Sequence, residues 1–183
     1  MNDRVQKLAR LALLLALATV IHTAEALLPI TVVWFRFGFA NIIGLATLYL
    51  FGFKAALFVT LGRIFLGALA SGLFGSPAFI LSLAGGLSAI LAMGLVWRLS
   101  RRLFSEVGIS LVGAVAHNVA QLGVAYLILI KNPGIFLLLP LLMLTAAGTG
   151  VLNGLAARFF IAQFGKVTRT APGRPGETRL NSP

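Results

Sequence analysis

Apolar residues run along this chain in six long stretches, separated by short breaks rich in Gly, Pro or charge. The stretches cover about Leu8 to Leu28, Phe35 to Leu50, Ala55 to Gly72, Ala78 to Leu99, Gly108 to Ile130 and Phe136 to Phe164. Crossing a bilayer takes about 20 apolar residues as a helix, and most of these runs approach or exceed that length. The breaks carry turn chemistry. Pro29 closes the first run, Phe51-Gly52-Phe53-Lys54 makes a tight turn, and Lys131-Asn132-Pro133-Gly134 makes another. In Gly75-Ser76-Pro77 the proline suits the first turn of the helix that follows. The first run has the look of a signal peptide, but it is too long for a signal core and lacks a convincing cleavage site. The pattern predicts an all-α integral membrane protein with six transmembrane helices. Residues 1–7 form an N-terminal arm and 8–164 the membrane domain. Residues 165–183 form a basic tail rich in Pro, Gly, Arg and Thr that is expected to be disordered.

Polar positions inside the apolar runs are few and clustered. The stretch Gly113 to Leu122 holds His117, Asn118 and Gln121 in the middle of the fifth run. His117 and Gln121 lie four apart and share a helix face, with Asn118 close to it. His22 and Glu25 lie three apart in the first run, Arg36 and Asn41 lie in the second, and Arg63 sits near the middle of the third. By residue count all of these lie in the middle or outer half of the membrane. Hydrogen-bonding groups at such depth must face protein, water or a ligand, which makes them candidates for a substrate site. They also serve to hold membrane helices together, so both readings stand. Arg63 and Arg36 have two readings as well. Either arginine could pair with Glu25 and be structural, or its planar fork could bind an anionic group of a substrate. Trp34, Phe35, Phe37 and Phe39 fit an interfacial aromatic belt better than an aromatic ligand box.

Composition agrees with the membrane assignment: 59% of the 183 residues are hydrophobic, 10% are charged, and mean hydropathy is +1.00. Without cysteine, disulfides and thiolate metal sites are excluded. The net charge of +11 would suggest nucleic acid in a soluble protein, but here the basic residues flank the apolar runs. Arg4, Lys7, Lys54, Arg98, Arg101, Arg102, Lys166 and the tail fall on one side, and Arg36 and Lys131 on the other. The positive-inside rule then places both termini in the cytoplasm, with no nucleic-acid partner expected. Ala9, Ala12 and Ala16 form a stripe of small residues on the first helix, and Gly150 and Gly154 form a GxxxG pair on the sixth; both patterns allow close helix approach.

The segments Arg36-Phe-Gly-Phe-Ala-Asn41, Phe51-Gly-Phe-Lys54-Ala-Ala, Arg63, and Gly113-Ala-Val-Ala-His117-Asn118-Val-Ala-Gln121 resemble the bacterial Gx transporter family, also labelled heptaprenyl diphosphate synthase component I. The resemblance covers most of Leu8 to Phe164. That family is similar to the substrate-binding S components of energy-coupling factor (ECF) transporters. The similarity implies a six-helix S-component-like bundle in the bacterial cytoplasmic membrane. It implies a small-molecule substrate, surrounding membrane lipid, and as partners a coupling transmembrane subunit with its ATPases. The S-component docking motif Ala-x-x-x-Ala is matched by Ala12 and Ala16. The family label implies an alternative, a membrane accessory subunit in isoprenoid or quinone biosynthesis. A purely structural membrane subunit is a third reading. Prenyl diphosphate synthases hold Mg²⁺ through clustered aspartates, a hard cation needing oxygen ligands. This chain has one aspartate, Asp3, and its glutamates Glu25, Glu106 and Glu177 are scattered. It also lacks a Gly-rich phosphate loop with its lysine. The expectation is therefore a binding protein that is not an enzyme and carries no cofactor.

Overall fold

The computed structural model describes residues 3–27, 38–100 and 103–170, without the side chains of residues 3, 26, 27 and 166–170. Arg36, Arg101, Arg102 and the tail after residue 170 lie outside the described residues. Among the described residues six α-helices follow one another: α1 Asp3–Leu27, α2 Ala40–Phe51, α3 Phe53–Ala70, α4 Pro77–Ser100, α5 Glu106–Ala125 and α6 Leu139–Thr170. A π-helical turn at Tyr126–Ile130 extends α5, and a 3₁₀ stretch at Pro133–Leu138 leads into α6. Among the described residues there is no strand.

Five of the helical segments are long and apolar enough to cross a membrane: Arg4–Glu25, Phe53–Ala70, Pro77–Ser100, Glu106–Ile130 and Pro133–Gly165. The exception is α2, whose 12 residues rise about 18 Å, short of the roughly 30 Å hydrocarbon layer. The apolar run predicted a helix from Phe35, but the described helix begins at Ala40. Gly38 adopts φ 67, and the Asn41 N–H donates to the Gly38 carbonyl, so the chain turns immediately before α2. What α2 lacks in length it makes up in burial. Ile43, Gly44, Leu45, Ala46, Thr47 and Leu48 are all buried in succession, which only a helix enclosed on every side achieves. The Thr47 hydroxyl donates to the Ile43 carbonyl of its own helix, so no polar atom of this run is left to solvent.

Around α2 the other helices close in two groups. α1 and α3 pack on one side, sharing Leu14, Ala18, Ile43 and Val59 with α2. On the other side α4, α5 and α6 form the tightest part of the bundle, joined to α2 through Leu45, Leu48, Ala89, Ile90, Met93, Ile109 and Ala157. The GxxxG pair serves the α5–α6 contact. A side chain at Gly150 would strike the Leu111 Cα at 2.9 Å, and one at Gly154 the Val107 Cα at 2.5 Å. Only bare backbone fits this approach.

The turns follow the sequence signals. Gly52, at φ 85, breaks the chain between α2 and α3, and Pro77 opens α4. α5 starts two residues ahead of its apolar run because the Ser105 hydroxyl caps it, accepting from the Gly108 N–H at 3.3 Å. α1 and α6 likewise overrun the expected boundaries at residues 8 and 164, since polar residues at the ends of a helix can continue it beyond an apolar layer. Arg4, Lys7, Lys54 and Arg98 mark one end of the bundle, and Lys131 marks the other.

Candidate functional site: a polar cleft

Arg63 is the centre of the polar groups. It lies ten residues into α3, about 15 Å from the basic end, and is 3% exposed. Its guanidinium donates from Nη2 to the Asn41 Oδ1 of α2 at 2.6 Å and places Nη1 3.5 Å from the His22 Nδ1 of α1. Because an arginine only donates, the His22 Nδ1 serves as acceptor at this contact. Three residues along α1, the Glu25 Oε1 accepts the Phe39 N–H at 2.6 Å, a short charge-assisted bond that ties α1 to the start of α2. Both His22 and Glu25 are buried.

The other wall comes from α4 and α5. His117 and Gln121 project from one face of α5 towards α4, where Ser82 and Gly85 meet them. The Gln121 Nε2 donates to the Leu81 carbonyl at 3.3 Å. Gly85 is what lets the imidazole in: a Cβ there would lie 2.7 Å from the His117 Cε1 and 2.9 Å from the Gln121 Cγ. Gly67 does the same on α3, since a Cβ there would lie 2.6 Å from the His22 Cδ2. Two glycines thus admit two histidines to the interior.

His22, Glu25, Gly38, Asn41, Arg63, Ser82, His117 and Gln121 together line one narrow cleft, and His22 and Ser82 also line a second small one that opens beside Phe79 and Ser71. The six candidates His22, Glu25, Asn41, Arg63, His117 and Gln121 are therefore brought together from α1, α2, α3 and α5, and Ser82 of α4 joins them. Asn118 goes elsewhere. Its Nδ2 donates to the Leu142 carbonyl of α6 at 2.8 Å, and it faces a separate small gap against Leu138 and Leu142 that Gln121 also borders. One residue past His117 is a rotation of about 100° on a helix, enough to turn Asn118 from α4 towards α6. Arg36 lies outside the described residues. Ala12 and Ala16 are on the exposed face of α1, away from the cleft.

Sequence reasoning missed Ser82, Gly67, Gly85 and Asn153. Asn153 is buried on α6, and its Nδ2 donates to the Gly38 carbonyl at 3.1 Å, pinning the turn that precedes α2. An asparagine inside an apolar helix is itself a signal, here hidden between the glycines of the GxxxG pair. Ser82 and the two glycines carry no comparable signal, being ordinary in membrane helices.

Chemically the cleft gathers one guanidinium, a carboxylate, two imidazoles, two amides and a hydroxyl around a gap of about 10 Å³, the space of a single water. Among the described residues no three His, Cys, Asp or Glu side chains are placed to hold a metal ion together. The molecule is thus an all-helical membrane protein with a polar cleft inside its bundle. Over residues 14–160 it matches the family described as heptaprenyl diphosphate synthase component I, and it belongs to that family. Neither the curated proteins nor the solved structures compared with it produced a match.

Proposed function

We propose that this chain is the substrate-capturing membrane subunit of an ECF-type uptake system. It takes a small, partly apolar molecule with an anionic or hydrogen-bonding head. The observation that carries the reading is the convergence of seven polar side chains from five helices on one cleft. A simple bridge between helices, such as Asn118 to the Leu142 carbonyl, joins one group to one partner. Gathering a guanidinium, a carboxylate and two imidazoles around one gap supplies a polar ligand with several partners at once.

In this reading α2 counts as the sixth crossing, so both termini lie on the basic, cytoplasmic side of the bacterial membrane. Reporter fusions at Lys166 and within the Lys131–Gly134 turn should then read opposite sides; the same side for both would reject the topology.

Energy comes from partner subunits, and the exposed small-residue face of α1 at Ala12 and Ala16 suits their approach. Affinity purification of the full chain should bring down a coupling membrane subunit with ATPases. Ala12→Leu and Ala16→Leu should reduce that yield several-fold while leaving the melting temperature of the isolated chain in place, because neither residue packs inside the bundle. Unchanged yield from both variants rules out this docking face. The family description favours a second reading, a membrane accessory subunit of a prenyl diphosphate synthase. Recovery of a soluble prenyltransferase in place of coupling subunits and ATPases would establish that reading instead.

A further inference from the structure

We propose that the groove between the start of α3 and the basic half of α4 is a binding site for an anionic phospholipid. One acyl chain would lie along α4 and the phosphate would sit on Arg98. The groove has a volume of about 470 Å³ and is lined by Phe53, Leu91, Gly94, Leu95, Trp97 and Arg98. It is a built recess. A Cβ at Gly94 would collide with the Phe53 ring, so the glycine lets that ring lie back and leaves a trough beside α4. Leu91 and Leu95, 48% and 59% exposed, line it one helical turn apart, and Arg98 follows at its end. From Leu91 to Arg98 the trough runs about 10 Å parallel to the helix axis, the direction a lipid tail takes.

Charge and depth select the occupant. Arg98 is exposed in the last turn of α4, at the end of the bundle where headgroups lie, and Lys54, also exposed, follows Phe53 at the same end. The guanidinium fork matches two phosphate oxygens. Trp97 is the amphipathic ring expected at headgroup level. A phosphodiester has the single charge that the one arginine lining the groove can meet. The site is separate from the polar cleft, with which it shares no lining residue.

Native mass spectrometry of the full chain tests this. The protein is purified in mild detergent and given equal amounts of phosphatidylglycerol and phosphatidylcholine with identical tails. The wild type should retain phosphatidylglycerol in preference. Arg98→Gln should lose that preference by roughly fivefold, the share of one basic side chain against an anionic headgroup. Arg98→Lys should keep part of it. Leu95→Trp, which fills the trough from an exposed position, should lower retention of both lipids with the melting temperature unchanged. Equal retention of the two lipids by the wild type would overturn the site, as would an undiminished preference in Arg98→Gln. Displacement of phosphatidylglycerol by an equal concentration of farnesyl diphosphate would overturn the phospholipid assignment.

Discussion

Replacing Arg63 by alanine should lower the melting temperature by roughly 5–10 °C and strip the purified chain of any small molecule it carries. The first effect follows from what the guanidinium touches. Its bond to Asn41 links α3 to α2, and its approach to His22 links α3 to α1. Hydrogen bonds made by a charged group contribute about 1.5–3 kcal/mol each, and truncation leaves the Asn41 oxygen and the cleft wall without that donor. At about 2–4 °C per kcal/mol for a domain of this size, one such bond accounts for the expected shift. The second effect follows from the guanidinium's central position among the cleft residues. Arg63→Lys separates the two. It keeps a cation but loses the fork, so it should recover part of the stability while failing to hold Asn41 and an anionic ligand group together. Melting temperature and retained small-molecule mass, measured on the same preparations, decide the matter. An Arg63→Ala protein that melts like the wild type and keeps its ligand would remove Arg63 from both roles.

The second large effect is expected at a residue with no side chain. Gly85→Ala should destabilise the bundle by about 1–3 kcal/mol, the usual cost of forcing an extra methyl into a filled interior. The new Cβ meets the His117 ring at 2.7 Å and the Gln121 Cγ at 2.9 Å, and either the ring must rotate or α4 and α5 must part. Gly123→Ala is the control on the facing helix. Nothing lies within 4 Å of a Cβ there, so that change should be neutral or stabilising by about 0.5–1 kcal/mol through helix propensity. If the collision is the cause, His117→Ala should relieve it, and the double variant should be more stable than the sum of the single changes implies. Gly85→Ala behaving like Gly123→Ala would show that His117 does not sit against α4 as described.

These two positions also show how far residue types carry a reading of the cleft. Arg63 is conspicuous in any apolar helix, because a charge at that depth must be accounted for. Gly85 is one of 20 glycines, and its importance lies wholly in which side chain of another helix fills the space above it. Asn118 makes the same point from the other direction. Its neighbours His117 and Gln121 join the cleft, whereas Asn118 turns to the Leu142 carbonyl. Spacing along one helix tells which residues share a face; it does not tell which neighbouring helix that face meets.

Local order was legible in the sequence because it depends on local causes. Six apolar runs and their Gly and Pro breaks are enough to specify helices, since a backbone in lipid must satisfy its own hydrogen bonds. Gly52, Pro77 and the Lys131–Gly134 turn act where they stand, and the basic residues mark one end of the bundle without reference to packing. The depths of His22, Arg63, His117 and Gln121 also follow from counting residues at a fixed rise. Tertiary structure decided the rest. The rotation and crossing of each helix set which polar groups converge, so Ser82 enters the cleft and Asn118 leaves it. The start of α2 was decided by Gly38 taking a left-handed turn that Asn153 of α6 holds from 115 residues away. The close approach of α5 to α6 rests on Gly150 and Gly154 lying opposite the backbone of Leu111 and Val107. Contacts between distant segments depend on shape complementarity across helices, and no periodicity along a single helix encodes it.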